Sequence, residues 1–383
     1  MFILWVPIWV IFLQRKGLGL TQIGLLESVA WLITAALEVP TGAIADRWGR
    51  KASIAIGTFL YAVAMFLILA DALSPAFLLG YALWNSSMAF VSGADSALLY
   101  DSLKADGRAG DAPIFAGRLA AIQQGSQGIA ALLGAAIATV DITLCFTISG
   151  VLALVATGLI LTVREAPSRD VGEEPLKYWR NLRTAVGIAA RRPIVRAVLL
   201  LNATFSVVPL VVYYFLLQPY ALGVGLPLAS LGVVVVGVQM TTVAASWLAH
   251  RVGDRFELRT IVTFSGVLLV GAAVLLGAAP SIPSIGLMLV VALAPALVAP
   301  LLSARLNSLI PSAQRATILS LSALLAELGI AGVVPLLLAL ADVLTPAEAI
   351  GLSASIFAVV AFPLLVVWHA ADPQPRTATG RPA

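Results

Sequence analysis

The feature that most constrains this chain is a series of apolar stretches that recurs along almost its whole length. Twelve stretches, each bounded by Pro, Gly, Asp or a basic cluster, lie at residues 1–14, 22–44, 53–70, 75–99, 113–140, 142–163, 195–217, 227–249, 260–280, 283–305, 316–340 and 348–369. A helix crosses the hydrocarbon core of a bilayer in ~20 residues, which is close to the length of all but the first stretch. Because the stretches do not alternate in polarity as barrel strands do, they predict an all-α membrane protein with twelve transmembrane helices.

The composition supports lipid as the solvent for most of the chain. Hydrophobic residues make up 60% of the sequence and charged residues 11%, and the mean hydropathy is +1.01. A soluble protein carries ~25% charged residues. A water-soluble fold of this size could not cover so much apolar surface.

The first apolar stretch is too short for a complete span. Residues 1–13 have no basic leader and no Ala-x-Ala-like site, so they do not resemble a cleavable signal peptide. We expect the first helix to be truncated, and the alternative is a short, tilted helix in a locally thinned bilayer.

The positions of the basic residues predict the orientation in the membrane. If the loop between the second and third stretches is cytoplasmic, 21 of the 23 Lys and Arg residues lie on the cytoplasmic side, and only Arg15 and Lys16 lie outside. Cytoplasmic loops carry such an excess of positive charge. We therefore expect a multi-pass protein of the cell inner (plasma) membrane with both termini in the cytoplasm.

One long polar segment divides the predicted helices six and six. It suggests an N-terminal six-helix bundle at 1–165, a linker at 166–194, a C-terminal six-helix bundle at 195–370 and a disordered cytoplasmic tail at 371–383. Apolar residues recur every three or four positions between 176 and 188, which is typical of an amphipathic helix at the membrane surface. A disordered linker is the alternative.

The two halves contain echoes of one another. The segment from Gly42 to Lys51 includes Asp46-Arg47, and Asp254-Arg255 follows about 208 residues later. Tyr100-Asp101-Ser102-Leu103 and Leu306-Asn307-Ser308-Leu309 are separated by about 206 residues. Two echoes at nearly one offset indicate a duplicated six-helix unit.

The segment from Gly42 to Lys51 resembles the Gly-x-x-x-Asp-Arg-x-Gly-Arg-Lys loop of the major facilitator superfamily. The resemblance implies two pseudo-symmetric bundles that transport solutes by alternating access. It also implies a cytoplasmic gate formed by Gly42, Asp46, Arg47, Gly49 and Arg50. The two glycines permit a tight turn and close helix approach, and Asp46 can cap the third helix or pair with a basic residue.

Ionisable residues at bilayer depth are functional candidates, because each costs ~2.5–3.5 kcal/mol to insert. Glu27 and Glu38 face one side of the second helix, ~16 Å apart. We assign Glu38 to the gate with Asp46 and Arg118. Glu27 is a candidate for proton coupling, with an interfacial position as the alternative.

Three further charged residues lie inside predicted spans. Asp95 and Arg118 could neutralise each other between neighbouring helices, either as a structural pair or as part of the gate. Glu327 lies midway through its span, and no basic residue occurs there beside it. Burial of such a carboxyl favours its neutral form, which makes Glu327 the strongest candidate for proton coupling.

Uncharged polar residues near mid-span are candidates for substrate binding. The resemblance places all of them in spans that line the cavity; they are Trp84, Asn85, Gln123, Gln124, Gln127, Asn202 and Gln239. The alternative role is hydrogen bonding between helices, worth ~0.6 kcal/mol each. We assign Tyr213 and Tyr214 to interfacial or packing positions.

Several classes of function are disfavoured by what the sequence lacks. It has one cysteine, Cys145, two histidines at the ends of apolar stretches and no Gly-x-x-x-x-Gly-Lys-Ser/Thr motif, so we expect no enzyme activity, cofactor, metal or nucleic acid. The expected partners are membrane lipid, a small-molecule substrate and protons, and the expected state is a monomer. The favoured function is proton-coupled efflux of amphipathic or cationic compounds, and the alternative is a proton-coupled nutrient symporter. The span at 75–99 lacks the Arg common in proton-coupled members, and no Pro lies between Gly125 and Gly134 as in many exporters.

Overall fold

The computed structural model describes residues 2–165, 175–311 and 314–371, except for the side chains at 38–47, 175–182 and 316. Every regular element in this part of the chain is helical. The α-helices are α1 (Trp9–Arg15), α2 (Leu20–Trp48), α3 (Arg50–Leu67), α4 (Pro75–Val91), α5 (Ala94–Ala105), α6 (Ala112–Ile137), α7 (Ile142–Thr162), α8 (Pro175–Arg191), α9 (Pro193–Val211), α10 (Leu217–Gly223), α11 (Leu231–Gly253), α12 (Leu258–Ala278), α13 (Leu287–Leu309), α14 (Arg315–Val343) and α15 (Pro346–Ala371). The all-α membrane fold class predicted from the apolar stretches is confirmed.

Nine helices in the described part of the chain are long and apolar enough to cross a membrane. The three remaining predicted spans fall short for separate reasons. The first forms only a short apolar helix at Val6–Arg15, α4 has 17 residues, and α6 carries several glutamines. Length and hydropathy alone therefore support nine of the twelve predicted spans.

The predicted span at 75–99 is divided into two helices. Ser74 starts α4 by accepting a hydrogen bond from the Phe77 amide, and Asp95 follows the break in the first turn of α5. Gly93 stands between them with φ of 76°, a backbone conformation that glycine adopts at little cost. The backbone conformation at Gly93 interrupts the regular helix, so one apolar stretch forms the two helices α4 and α5.

The seventh predicted span also changes its helical form. Pro209 lies inside α9, and a π-helical turn at Val212–Leu216 connects α9 to α10. Proline removes a backbone donor, and π-turns are frequent at functional sites. The turn contains Tyr213 and Tyr214.

The helices pack mainly within each half of the sequence. Helix α3 packs against α4 and α7, α12 packs against α15, and α9 contacts α13, α14 and α15. Two large contacts join the halves: α2 lies along α14, and α6 lies along α11.

The contacts between the halves concentrate at one end of the bundle, which we call the closed end. It carries the α1–α2, α6–α7 and α14–α15 connections. Here Gly232 at the start of α11 meets the backbone of Ala131 near the end of α6. At the opposite end, which we call the open end, α6 is exposed over residues 120–125 and α11 over 246–248. The halves therefore meet at the closed end and separate toward the open end.

The structure describes only part of the linker and the C-terminal tail. The helix expected in the linker is present as α8, whereas residues 166–174 and the tail at 372–383 lie outside the described residues. The domain boundaries remain a prediction.

Candidate solute cavity and gates

A cavity of about 290 Å³ lies between the two halves, and we call it the central cavity. Its walls come from the segment before α1, from α6, from the π-turn and α10, and from α11. The lining residues are Ile3, Val6, Gln124, Gln127, Tyr213, Tyr214, Leu217, Gln218, Val235, Val238, Gln239 and Thr242. Both halves of the sequence therefore contribute to one cavity.

Gln218 fixes one wall of the central cavity to the first helix. The side chain is 3% exposed; its Oε1 accepts a hydrogen bond from the Val10 amide at 2.8 Å, and its Nε2 donates to the Val6 carbonyl at 3.0 Å. The first amides of a helix have no intrahelical acceptor, so Gln218 satisfies one of them from the other half of the chain. Gln218 was not among the predicted site residues, although a glutamine beside Pro219 at the end of an apolar stretch was a usable signal.

Two pairs of polar residues face the central cavity from α6 and α11. Gln124 and Gln127 are three residues apart on α6, and Gln239 and Thr242 are three residues apart on α11, so each pair shares a helix face. The Gln239 Oε1 atom is buried and has no hydrogen-bond partner. Thr242 donates to the Val238 carbonyl of its own helix.

Four of the seven predicted substrate-binding residues lie outside the central cavity. Trp84 packs edge-on against Trp5 and Trp9, with ring centroids 4.8 Å apart in each case. Asn85 donates to the Tyr81 carbonyl in its own helix. Gln123 is exposed and is not among the residues that line the cavity.

The fourth residue, Asn202, connects two helices of the second half. Its Nδ2 atom donates to the Ser322 hydroxyl of α14 at 3.3 Å, and its Oδ1 atom is buried without a partner. The three predicted residues that do line the cavity are Gln124, Gln127 and Gln239. Tyr213 and Tyr214 line it as well, although the sequence suggested packing positions for them.

Glu27 lies inside an aromatic cluster. Its side chain is 4% exposed, and its Oε1 atom accepts hydrogen bonds from Trp9 Nε1 at 2.7 Å and from the Tyr81 hydroxyl at 2.5 Å. The phenol of Tyr214, on the cavity wall, is within electrostatic range of the Glu27 carboxyl. The buried acid and the cavity are thus neighbours across the boundary between the halves.

Glu327 lies half-buried in α14, the helix that packs along α2 and α9. Two residues later, Gly329 allows α14 to approach Val207 of α9. Glu327 therefore lies on a helix that contacts both halves, and it does not belong to the lining of the central cavity.

The predicted gate motif is only partly described. Glu38, Gly42, Asp46 and Arg47 have side chains outside the described residues. Gly49 has φ of 96° and precedes α3, as the motif requires. The Arg50 and Lys51 amides at the start of α3 donate to Glu165 Oε1 at 2.5 and 3.3 Å. Glu165 therefore caps α3, a role that the sequence had suggested for Asp46.

The expected pair between Asp95 and Arg118 does not form in this structure. The Asp95 carboxylate accepts a hydrogen bond from the Ser96 amide, which turns it back toward its own helix terminus. Arg118 is exposed and lies over the Phe115 ring, 5.5 Å from its centroid. Both contacts are local, so neither side chain bridges α5 and α6.

A row of contacts between α2 and α14 fastens the closed end, and we call it the seam. Asp342 accepts hydrogen bonds from the Leu20 amide at 3.2 Å and from the Thr21 hydroxyl at 2.8 Å. A Cβ atom added to Gly24 would lie 2.8 Å from the Pro335 Cα atom, so the two helices are in backbone contact.

One hydrogen bond in the seam depends on a proline. Pro335 has no amide hydrogen, which leaves the Ala331 carbonyl without its usual helical donor. The Ser28 hydroxyl of α2 donates to this carbonyl at 2.6 Å. The seam therefore uses a carbonyl that α14 itself cannot satisfy.

The comparisons with known proteins identify the family. The family model described as Major Facilitator Superfamily matches residues 1–332. The chain belongs to the major facilitator superfamily. This confirms the resemblance seen in the segment from Gly42 to Lys51, and it makes the protein a transporter and not an enzyme.

Solved structures of other superfamily members share this fold. The nucleoside transporter NupG matches with a TM-score of 0.77 and 13% identity over 95% of this chain and 94% of that chain. A D-xylose-proton symporter matches with a TM-score of 0.64 and 15% identity over 96% and 92%. At these identities the likeness concerns the fold alone.

A curated relative covers a smaller region. The uncharacterized MFS-type transporter YxaM of Bacillus subtilis (strain 168) is 34% identical over 88 residues, which are 23% of this chain and 22% of the relative. The chain thus spans about a fifth of the length of this relative. The match supports the superfamily assignment, and it does not identify a substrate.

Proposed function

We propose that this superfamily member is a secondary active transporter that moves a small solute by alternating access, with protons as the coupling ion. The observation that carries the proposal is the central cavity, which lies between halves that meet at the closed end and part at the open end. A solute enters from the open end and binds against residues of both halves. Release on the other side then requires the seam to part.

Proton coupling is proposed at Glu27 and Glu327. Glu27 is buried against Trp9 and Tyr81, and its carboxyl is within electrostatic range of Tyr214 on the wall of the central cavity. Solute bound against Tyr214 therefore alters the surroundings of the carboxyl. Glu327 lies on α14 beside the seam helix α2, where movement of the halves changes its access to water.

The proposed direction is efflux of an amphipathic compound, with uptake as the alternative. Apolar walls of valine, leucine and isoleucine combined with amides suit an amphipathic solute. Uptake remains the alternative because many exporters carry a proline in this helix, and α6 has none between Gly125 and Gly134.

We place the protein in the inner membrane as a monomer, with both termini in the cytoplasm. The proposed domain boundaries are those given in the sequence analysis. The excess of Lys and Arg at the open end supports a cytoplasmic open end. In that orientation the structure corresponds to an inward-facing conformation.

Transport in proteoliposomes under an imposed pH gradient tests this function. Movement of a solute opposite to the protons indicates efflux, and movement of both together indicates uptake. A flux that ignores the gradient contradicts proton coupling. A protein that binds solute but never exchanges it across the bilayer contradicts transport itself.

A further inference from the structure

The polar groups of the central cavity restrict the chemical class of the solute further than the proposed function does. The described lining provides four glutamine amides, two phenols and one threonine hydroxyl, and none of these described residues is charged. The remaining wall is aliphatic. A solute in this cavity meets donors, acceptors and aromatic rings but no counterion.

Not all of these groups are available to a solute. Gln218 is occupied by the backbone of Val6 and Val10, and Thr242 donates to its own helix. The Gln239 Oε1 atom is buried and lacks a donor. Because this oxygen is not exposed to the cavity in this structure, rotation of the Gln239 amide is what brings it within reach of a solute N–H or O–H group. Gln124 and Gln127 offer two further amides from α6.

The absence of charge among the described lining residues disfavours an ionic solute. Burial of an ion without a counterion is far more costly than burial of a neutral hydrogen-bonded group. The buried acid nearest to the cavity wall is Glu27, whose Oε1 atom already accepts from Trp9 and Tyr81. Glutamine amides pair well with the donor and acceptor edges of planar heterocycles, and phenol rings stack on their faces.

We propose that the solute of the central cavity is an uncharged ring compound that carries both hydrogen-bond donors and acceptors. This rests on the proposed transport function and replaces the cationic class that the sequence allowed. The volume of about 290 Å³ fits a small solute, because drug-sized ligands occupy pockets of ~300–1,000 Å³. Gln239 is the residue that recognises a donor group on it.

Equilibrium binding to the purified full chain in detergent tests the class with three probes. Uridine is an uncharged ring with donors and acceptors, uridine 5′-monophosphate adds negative charge to the same ring, and tetraphenylphosphonium is an apolar cation. We expect calorimetry to detect uridine and neither of the charged probes. Gln239→Leu should weaken uridine binding about tenfold, the effect of one lost hydrogen bond. Gln14→Leu, at an exposed site on α1 outside the cavity, should leave it unchanged.

Each other outcome has a definite meaning. Binding of tetraphenylphosphonium or of the monophosphate more tightly than uridine overturns the proposal, and so does failure of uridine to bind. Equal uridine affinity in wild type and Gln239→Leu removes Gln239 from recognition and also overturns it. Exchange of a charged probe across proteoliposomes would leave the transport function standing while this inference fails. Uridine binding without any exchange across the bilayer would contradict the transport function and leave this inference standing.

Discussion

Single residues connect the chemistry of this transporter to its fold, and Glu27 is the clearest example. Its carboxyl is surrounded by the side chains of Trp9 and Tyr81, both of which donate hydrogen bonds to one oxygen atom. The sequence indicated a functional acid on α2, yet it left the interfacial position open. Helical spacing gives the face of α2 that carries Glu27, but the partners come from α1 and α4, which only tertiary packing brings together.

Replacement of Glu27 separates its coupling role from its structural role. Glu27→Gln keeps an oxygen acceptor for Trp9 and Tyr81, so we expect a folded protein that exchanges solute but loses gradient-driven flux. Glu27→Leu leaves two buried donors without a partner, and we expect it to lose ~1–3 kcal/mol of stability per donor. Driven flux and exchange in proteoliposomes, together with thermal unfolding, measure both effects. Driven flux that persists in Glu27→Gln would remove Glu27 from coupling, and Glu327→Gln is the parallel variant for the second candidate.

Glu165 is a residue whose role emerged only from the structure. It follows α7 in sequence, yet it caps α3 through the Arg50 and Lys51 amides. The motif resemblance directed attention to Asp46, and spacing along the chain gives no sign that a residue more than a hundred positions later reaches α3.

Loss of this cap should destabilise the start of α3. Helix N-caps and negative charges near a helix N-terminus contribute ~1 kcal/mol. We expect Glu165→Ala to increase hydrogen exchange at the amides of Arg50 and Lys51, and Glu165→Gln to show an intermediate effect. Unchanged exchange in Glu165→Ala would show that the cap does not hold α3.

At the scale of whole helices, the seam between α2 and α14 joins the two halves. The sequence predicted both helices but not their pairing, because apolar periodicity does not specify which helices meet. The roles of three residues depend on this pairing. Gly24 permits close approach of the helices, Pro335 leaves the Ala331 carbonyl without a helical donor, and Ser28 donates to that carbonyl.

A bulkier residue at Gly24 should open the seam. A Cβ atom there would meet the Pro335 Cα atom at 2.8 Å, so the helix backbone must shift to accept it. We expect Gly24→Val to increase the reactivity of a cysteine placed at Thr21 toward a water-soluble maleimide in a Cys145→Ser background. Gly125→Ala is the matched control, because a Cβ atom at Gly125 meets nothing within 4 Å. Equal reactivity in both variants would contradict backbone contact at the seam.

The polar end of the seam can be tested by a double-mutant cycle. Asp342 and Thr21 form a hydrogen bond of 2.8 Å, so Asp342→Ala and Thr21→Val each remove it and should each loosen the closed end. Because the residues contact each other, we expect a coupling energy of ~0.5–3 kcal/mol and not additivity. Thermal unfolding in detergent gives the four stabilities, and strictly additive values would show that the bond contributes nothing.

For the whole molecule, we expect the two halves to pivot around the central cavity. The apolar stretches predicted the helical membrane fold, and the Gly42 to Lys51 segment predicted the family. The cavity lining was predicted only in part, since Gln124, Gln127 and Gln239 follow from mid-span polarity, whereas Gln218, Tyr213 and Tyr214 depend on the π-turn after Pro209. Such a turn rotates the following side chains, and no repeat of 3.6 residues can anticipate that.

Distances between spin labels at the two ends test this motion most directly. One label pair replaces Gln22 and Val343 at the closed end, and the other replaces Ile114 on α6 and Leu248 on α11 at the open end; all four side chains are exposed. When Gly24→Val is introduced or solute is added, we expect the closed-end distance to lengthen while the open-end distance shortens. Distances that stay fixed, or that lengthen together, would contradict alternating access.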